Sequence, residues 1–324
     1  MTRETTLLVT TVKDEGPNIL EWVAHHRLCG FDHIQIYQND SSDFTVRTLR
    51  TLDRLGIIEF HNNKNAKGAH QIQAYRRASW SEAHANADWC MALDGDEFLN
   101  IKIGTHQVTD LTDACPNADA ILVNWRLFGS AGQRTIGDDL LTKRFTQAEP
   151  NASIVKGKLA AFKPLFRTTS FKRAGVHLPK VPLVERPRFF NGSGLEEGDF
   201  HRYNWRSADP GGRSLAQINH YIVRDMQSFL LKRARGSANA PNRDVGIRYW
   251  KVYNRNEETD TGLANRAKAL LAEMNRLDAL SGGRLMHLRA RSLRVWRKRY
   301  KDLQDNADLR AVQKAIDPQP EQTA

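Results

Sequence analysis

Trp89-Cys90-Met91-Ala92-Leu93-Asp94-Gly95-Asp96-Glu97-Phe98-Leu99 is the stretch from which the rest of the chain can be read. Trp89 to Leu93 is a short apolar run, as expected of a strand buried on both faces. It ends directly on two carboxylates separated by one glycine. Upstream, the same kind of run recurs at Leu7 to Val12, His33 to Tyr37 and Ile57 to Phe60. Helical signals separate these runs. Gly16-Pro17 opens the first, whose apolar face is Leu20, Val23, Ala24 and Leu28 and whose stop is Gly30. Val46, Leu49, Leu52 and Leu55 form the second, closed by Gly56, and a third runs from His70 to Ala87. Strands joined by helix-length crossovers predict an α/β fold with a mostly parallel sheet covered on both faces.

In such a sheet, ligands collect beyond the carboxyl ends of the strands. Three polar clusters stand there: Lys13-Asp14-Glu15, Asn39-Asp40-Ser41-Ser42-Asp43 and Asp94-Gly95-Asp96-Glu97. Two carboxylates around a small residue after a buried strand can hold a divalent cation against a diphosphate. Mn2+ or Mg2+ suits such oxygen ligands. The plain alternative is a solvated acidic turn.

Downstream, Ile121 to Trp125 and Leu159 to Phe166 read as further strands. Residues 168–219 read as loops on the same sheet, His220 to Arg235 as a helix, and Leu263 to Ile316 as a helical tail. His25 lies four residues after Glu21, a spacing that suits pairing along an exposed helix face.

The composition narrows the classes. The chain has 324 residues, 40% hydrophobic and 26% charged, which excludes disordered, collagenous and coiled-coil proteins. No run reaches the length of a spanning helix. Leu7 to Val12 is too short and wrongly flanked for a signal peptide. The three cysteines are far apart, which suits a reducing cytoplasm better than a disulfide framework. The net charge is +11, and Arg284 to Lys301 alone holds eight Lys or Arg and no Asp or Glu. The basic character therefore belongs to one C-terminal element and not to the body. With no nucleic-acid-binding motif beside it, no nucleic acid is expected as a partner.

Several ordered segments resemble glycosyltransferase family 92 and bacterial sequences related to it and to family 2. They are Lys13-Asp14-Glu15, Leu20 to His26, Gly30 to His33, Ile36 to Asp43 and Trp125 to Ser130. Further on come Lys163-Pro164, Val176-His177, Asn219-His220-Tyr221 and Phe229 to Gly236. The resemblance implies a GT-A-type sheet flanked by helices over residues 1–255, followed by a helical basic C-terminal extension over 256–324. It implies a transferase that inverts the anomeric centre, using a nucleotide-sugar donor and a glycan or lipid-linked acceptor. The metal would sit at Asp94 and Asp96, with His177 or His220 as a further ligand, although a lone histidine is more often a hydrogen-bonded structural residue. The base and ribose would lie near Asp14, Glu15, Asn39, Asp40 and Asp43. Asp40 and Asp43 also suit capping of the next helix. Gln38 stands where the family pattern more often has Asp.

An inverting enzyme needs a carboxylate base. The candidates are Asp138, Asp139, Glu185, Glu196, Glu197 and Asp199, with Asp199 taken as the choice. Trp125 and Phe128 could form a floor for the acceptor sugar or belong to the core. The tail has three readings: an amphipathic helix over 284–301 lying on an anionic membrane surface, a surface helix whose arginines pair with the body, or, least favoured, a nucleic-acid contact. The expected location is cytoplasmic, with a peripheral hold on the inner membrane face under the first reading. The rival functions are a metal-dependent phosphohydrolase and a non-catalytic adaptor working through the basic tail.

Overall fold

The computed structural model describes residues 3–63, 70–151, 160–198, 206–207, 211–236 and 245–317. Its first half is the expected alternation. The elements are β1 (Thr6–Val12), α1 (Ile19–Leu28), β2 (His33–Gln38), α2 (Thr45–Arg54), β3 (Glu59–Asn62), α3 (His70–Ala78), α4 (Glu82–Asn86) and β4 (Trp89–Asp94). β1 lies between β2 and β4 and is parallel to both, and β3 extends the parallel sheet beyond β2. Leu7, Leu8, Val9, Trp89, Met91 and Leu93 are fully buried, as the continuous apolar runs require of strands covered on two faces. The long helix expected from His70 to Ala87 is instead two. Ser81 accepts a hydrogen bond from the His84 backbone N–H at 3.2 Å and starts α4 afresh.

The second half completes the sheet. β5 (Glu97–Ile101), α5 (Val108–Asp113), β6 (Ala120–Leu127), α6 (Leu141–Arg144), β7 (Gln147–Ala148) and β8 (Ala160–Arg167) follow. Then come β9 (Phe171–Arg173), β10 (Lys180–Pro182), β11 (Phe189–Asn191), β12 (Arg206–Ser207) and β13 (Ala216–His220). The main sheet runs β3-β2-β1-β4-β8-β6-β13-β5, with β8 antiparallel to β4 and β6. This is the expected GT-A-type arrangement. His220 closes β13, paired between β5 and β6, and does not begin a helix. The helix starts six residues later as α7 (Met226–Arg235), where Asp225 accepts from the Ser228 N–H at 2.8 Å. α8 (Ile247–Tyr253), β14 (Glu258–Thr259), α9 (Ala267–Leu280), α10 (Arg284–Asp302) and α11 (Ala307–Ile316) finish the chain.

The C-terminal helices are built into the body. Leu270, Met274 and Leu277 of α9 and Leu285 of α10 belong to the same core as Leu8, Trp22 and Leu93. α9 packs on α1, and Glu21 and His25 are buried instead of pairing at the surface. Glu21 accepts from the backbone of Leu141 and Thr142 and from the Thr142 hydroxyl at 2.7 to 2.9 Å, and His25 meets the Leu99 carbonyl at 2.7 Å. Leu285, Leu288, Leu293 and Trp296 of α10 also turn inward, while Arg284, Arg294, Lys298 and Lys301 stay exposed. The apolar face that a membrane contact would need is therefore occupied by protein. Among the described residues no helix is long and apolar enough to cross a membrane.

Burying His25 and His26 has a consequence for pH. Burial, against the Leu99 carbonyl and with Arg266 nearby, lowers His25 to about 4. Burial and the neighbouring His25 hold His26 well below the usual imidazole range. Between about pH 6.5 and 4 the unfolded chain binds protons that the folded chain refuses, so stability falls as pH falls through that window. The expected loss at pH 5 is about 2 kcal/mol from His25, with His26 adding in the same direction, measured as a falling thermal midpoint. His25→Gln should flatten the fall between pH 7 and 5. An unchanged slope would show that other groups set it.

Candidate active site

The three polar clusters do meet. Asp14, Asn39, Asp40, Asp94 and Asp96 line one cavity of about 640 Å³ at the carboxyl ends of β1, β2 and β4, and His220 joins them from β13. Three lining residues other than glycine have left-handed backbone angles: Asp14 (φ 51°), Asp40 (φ 45°) and Arg224 (φ 57°). Such conformations cost energy and persist where surrounding structure imposes them.

The turn after β4 is tight. A Cβ on Gly95 would stand 3.2 Å from Val12 and 3.4 Å from Glu15, so glycine lets the two loops approach. Asp94 accepts from Gln71 Nε2 at 2.6 Å and pairs with Lys163 Nζ at 3.2 Å. Lys163 is fully buried and also faces Glu97 at 3.5 Å, whose carboxylate accepts the Asp94 N–H at 2.8 Å. Burial chiefly, and Asp94, push Glu97 up to about 7 against the pull of Lys163. Burial lowers the Lys163 ammonium's pKa, but Asp94 and Glu97 outweigh it and raise it.

Asp96 is the other half of the motif. Its Oδ1 is 3.5 Å from His220 Nε2 and its Oδ2 is 3.3 Å from Lys232 Nζ. Burial would raise its pKa, but Lys232, His220 and Arg224 hold the carboxyl well below the usual range. It is therefore charged at neutral pH. Lys232 is depressed by burial, against Asp96. Arg224 Nη2 donates to Glu15 at 2.9 Å, and burial, opposed by Arg224, raises Glu15.

The other expected ligands divide. Asp40 is exposed at the cavity wall. Asn39 is buried and accepts from Asn63 Nδ2 at 3.0 Å. Asp14 Oδ1 accepts the N–H groups of Ser42 at 2.7 Å and Asp43 at 3.2 Å, tying the β1 loop to the β2 loop. Asp43 has both oxygens engaged: Oδ1 by the Thr45 N–H at 2.8 Å, Oδ2 by the Gly16 N–H at 3.1 Å and Trp296 Nε1 at 3.2 Å. That is the helix-start role, extended to two further partners. Gln38 organises the same loop, donating to Asn62 at 2.7 Å and accepting from the Ser41 N–H at 3.0 Å.

His177 is not a lining residue. Its ring packs edge-on to Trp125 at 5.7 Å, and its Nδ1 is 3.3 Å from the Phe162 carbonyl. Trp125 lines the cavity and contacts the His220 ring at 4.4 Å, whereas Phe128 is core, packed on Tyr221. Of the base candidates, Asp199 lies outside the described residues. Asp138 pairs with Arg297, Asp139 with Lys143 and Glu196 with Arg188. Glu185 is exposed and Glu197 is buried beside Ser207, and none of these five lines the cavity.

No site role was read from the sequence for Lys163, Arg224, Lys232, Trp296 or Arg299, although Lys163 and Lys232 lie in segments that carry the family resemblance. A physical signal was available for Lys232. The Phe229 to Gly236 segment puts a basic cluster on a helix end, a natural counterweight to an acidic rim.

A sequence model of glycosyltransferase family 92 matches residues 11–261, more than half of the chain. The chain belongs to glycosyltransferase family 92. Within this family 92 chain the match spans every strand-end loop of the cavity and stops before α10. No curated protein sequence matches. Similar solved structures include S. aureus TarS 1-349 in complex with UDP-GlcNAc, 15% identical, covering 51% of this chain and 46% of that chain, TM-score 0.32. S. aureus TarS is 14% identical over 52% of this chain and 29% of that chain, TM-score 0.33. Galactosyltransferase LgtC in complex with donor and acceptor sugar analogs is 15% identical over 50% of this chain and 57% of that chain, TM-score 0.26. In these two TarS matches the chain covers less than half of the TarS chain.

Proposed function

We propose that this chain is an inverting glycosyltransferase, moving a sugar from a nucleotide-sugar donor to a hydroxyl of a glycan or lipid-linked acceptor. The observation that carries this reading is the convergence of Asp14, Asp40, Asp94 and Asp96 on one cavity at the strand ends of a family 92 chain. The donor sets of Asp96 and His220 face each other there. Among the described residues no group of three or more His, Cys, Asp or Glu side chains forms a ready metal site. A cation held here would have to draw its other oxygens from the donor's phosphates, as Mg2+ and Mn2+ commonly do. Asp96 would hold it, with Asp94 and His220 beside it. When bound, such an ion supplies Lewis-acid stabilisation of the departing diphosphate.

The chain's own groups do the rest. Lys232 and Arg224 present positive charge beside Asp96 to the leaving diphosphate. Trp125 offers an aromatic face and an indole N–H that is buried without a partner among the described residues. The acceptor oxygen bonds to the anomeric carbon as the bond to diphosphate breaks, and a carboxylate takes the acceptor proton. Asp199 keeps that role in this reading as the choice among the six candidates. The exposed cations of α10 would meet an anionic membrane surface by charge alone.

Thermal shift with UDP, GDP, CDP and ADP, with and without Mn2+, tests the donor site. One nucleotide should raise the midpoint, more strongly with metal, because ligands of the native state stabilise it. No shift with any of them would remove the donor reading.

A further inference from the structure

We propose that α10 forms a wall of the donor pocket and that Arg299 is a nucleotide-binding residue. This rests on the donor reading above. The family match ends at residue 261, yet α10 is held against the loops that carry the site by a single stripe of side chains. Arg289, buried, donates to the Pro17 carbonyl at 3.0 Å and to the Asp139 carbonyl at 3.2 Å. One turn on, Ser292 meets Gly16 so closely that a Cβ there would lie 2.2 Å from the serine oxygen. Trp296 Nε1 donates to Asp43 at 3.2 Å. Arg299 Nη2 donates to Ser42 Oγ at 3.0 Å, and its Nη1 is 3.6 Å from Asp14 Oδ1. Positions 289, 292, 296 and 299 recur at the three- and four-residue spacing of one helix face. All four touch residues 14–17 or 42–43, the loops at the carboxyl ends of β1 and β2.

The far end of that stripe opens into the cavity. Trp296, Arg299, Asp302 and Leu303 line it together with Asp14, Asn39 and Asp40. Arg299 differs from the exposed arginines of α10. Its guanidinium is pinned by Ser42 and Asp14, and its side chain is still a third exposed, at the cavity wall. A guanidinium has five N–H donors, so two such contacts leave donors for a ligand. Fixed donors beside acidic and amide acceptors (Asp14, Asp40, Asn39) match a group with both acceptor oxygens and hydroxyls or ring N–H, which is the chemistry of a nucleoside diphosphate. Lys232 and Arg224 stand at the other side of the site, beside Asp96. The geometry thus gives Arg299 to the nucleotide and not to the transferred sugar.

Titration calorimetry on the full-length chain, with whichever of UDP, GDP, CDP or ADP binds wild type, tests this. Arg299→Gln should bind about tenfold more weakly, the usual worth of a lost charge-assisted hydrogen bond. Arg294→Gln, exposed on the same helix and off the cavity, should stay within about twofold. If Arg299→Gln does not fold, Arg299→Lys carries the test, since it keeps the charge and loses the fork; it too should bind more weakly. Unchanged affinity in the folded Arg299 variant overturns the proposal alone. A wild type that binds none of the four nucleotides overturns the donor reading beneath it.

Discussion

Asp96→Asn is expected to lower turnover about a hundred- to a thousandfold, the cost of removing one preorganised electrostatic group from an active site. The substitution keeps the shape of the side chain and removes its charge. That charge is held by Lys232 at 3.3 Å and His220 at 3.5 Å, and the carboxyl stays ionised despite its surroundings. The fold should survive, because Lys232 retains the Ile222 carbonyl at 2.9 Å and β13 pairs through its backbone. The thermal midpoint should accordingly move by only a few degrees while initial rates collapse. If the carboxylate acts through a divalent ion, chelating wild type should cost about as much, and Mn2+ should no longer strengthen nucleotide binding by the variant. Turnover within a fewfold of wild type would remove Asp96 from the mechanism. Activity that survives verified metal removal would leave Asp96 as a partner of Lys232 alone.

The parallel half of the fold was legible because each strand is a continuous apolar run and each helix a spaced one, so the local signal and the tertiary outcome agree. The strand-end clusters were legible for the same reason: once the strands are placed, topology brings Asp14, Asp40 and Asp94 to one rim. Glu21 and His25 show where such reading stops. A four-residue spacing is identical on an exposed face and on a covered one, and the groups that decide the matter, Leu141 and Thr142 for Glu21 and Leu99 for His25, lie far off in sequence. The arginines of α10 pose the same problem. Composition shows a basic helix, but only the packing shows that Arg289, Trp296 and Arg299 point at the β1 and β2 loops while Arg294 points at solvent. His220 misled for another reason. Asn219-His220-Tyr221 has no strand signature of its own, and its strand exists because β5 and β6 leave a slot between them.

Lys163→Met should be the most destabilising single change near the site. Lys163 and Glu97 are both fully buried, 3.5 Å apart, and Asp94 completes the triad at 3.2 Å. Nothing local marks Lys163 as a core residue; β8 simply runs antiparallel beside β4 and delivers its ammonium beneath the acidic turn. Removing it leaves the buried Glu97 carboxyl uncompensated beside the partly exposed Asp94, a loss on the order of 3–5 kcal/mol for broken buried ion pairs. The thermal midpoint should fall by on the order of 10 °C. Methionine fills most of the lysine's volume, so a cavity accounts for little of the loss. The control is the second substitution. Lys163→Met with Glu97→Gln removes the stranded charge and should recover more than half of the lost stability, because a neutral amide can still accept the Asp94 N–H that Glu97 now holds at 2.8 Å. A double variant no more stable than Lys163→Met would mean that Lys163 stabilises by packing alone. Recovery of stability without recovery of turnover would instead show that the same ammonium keeps Asp94 aimed at the cavity.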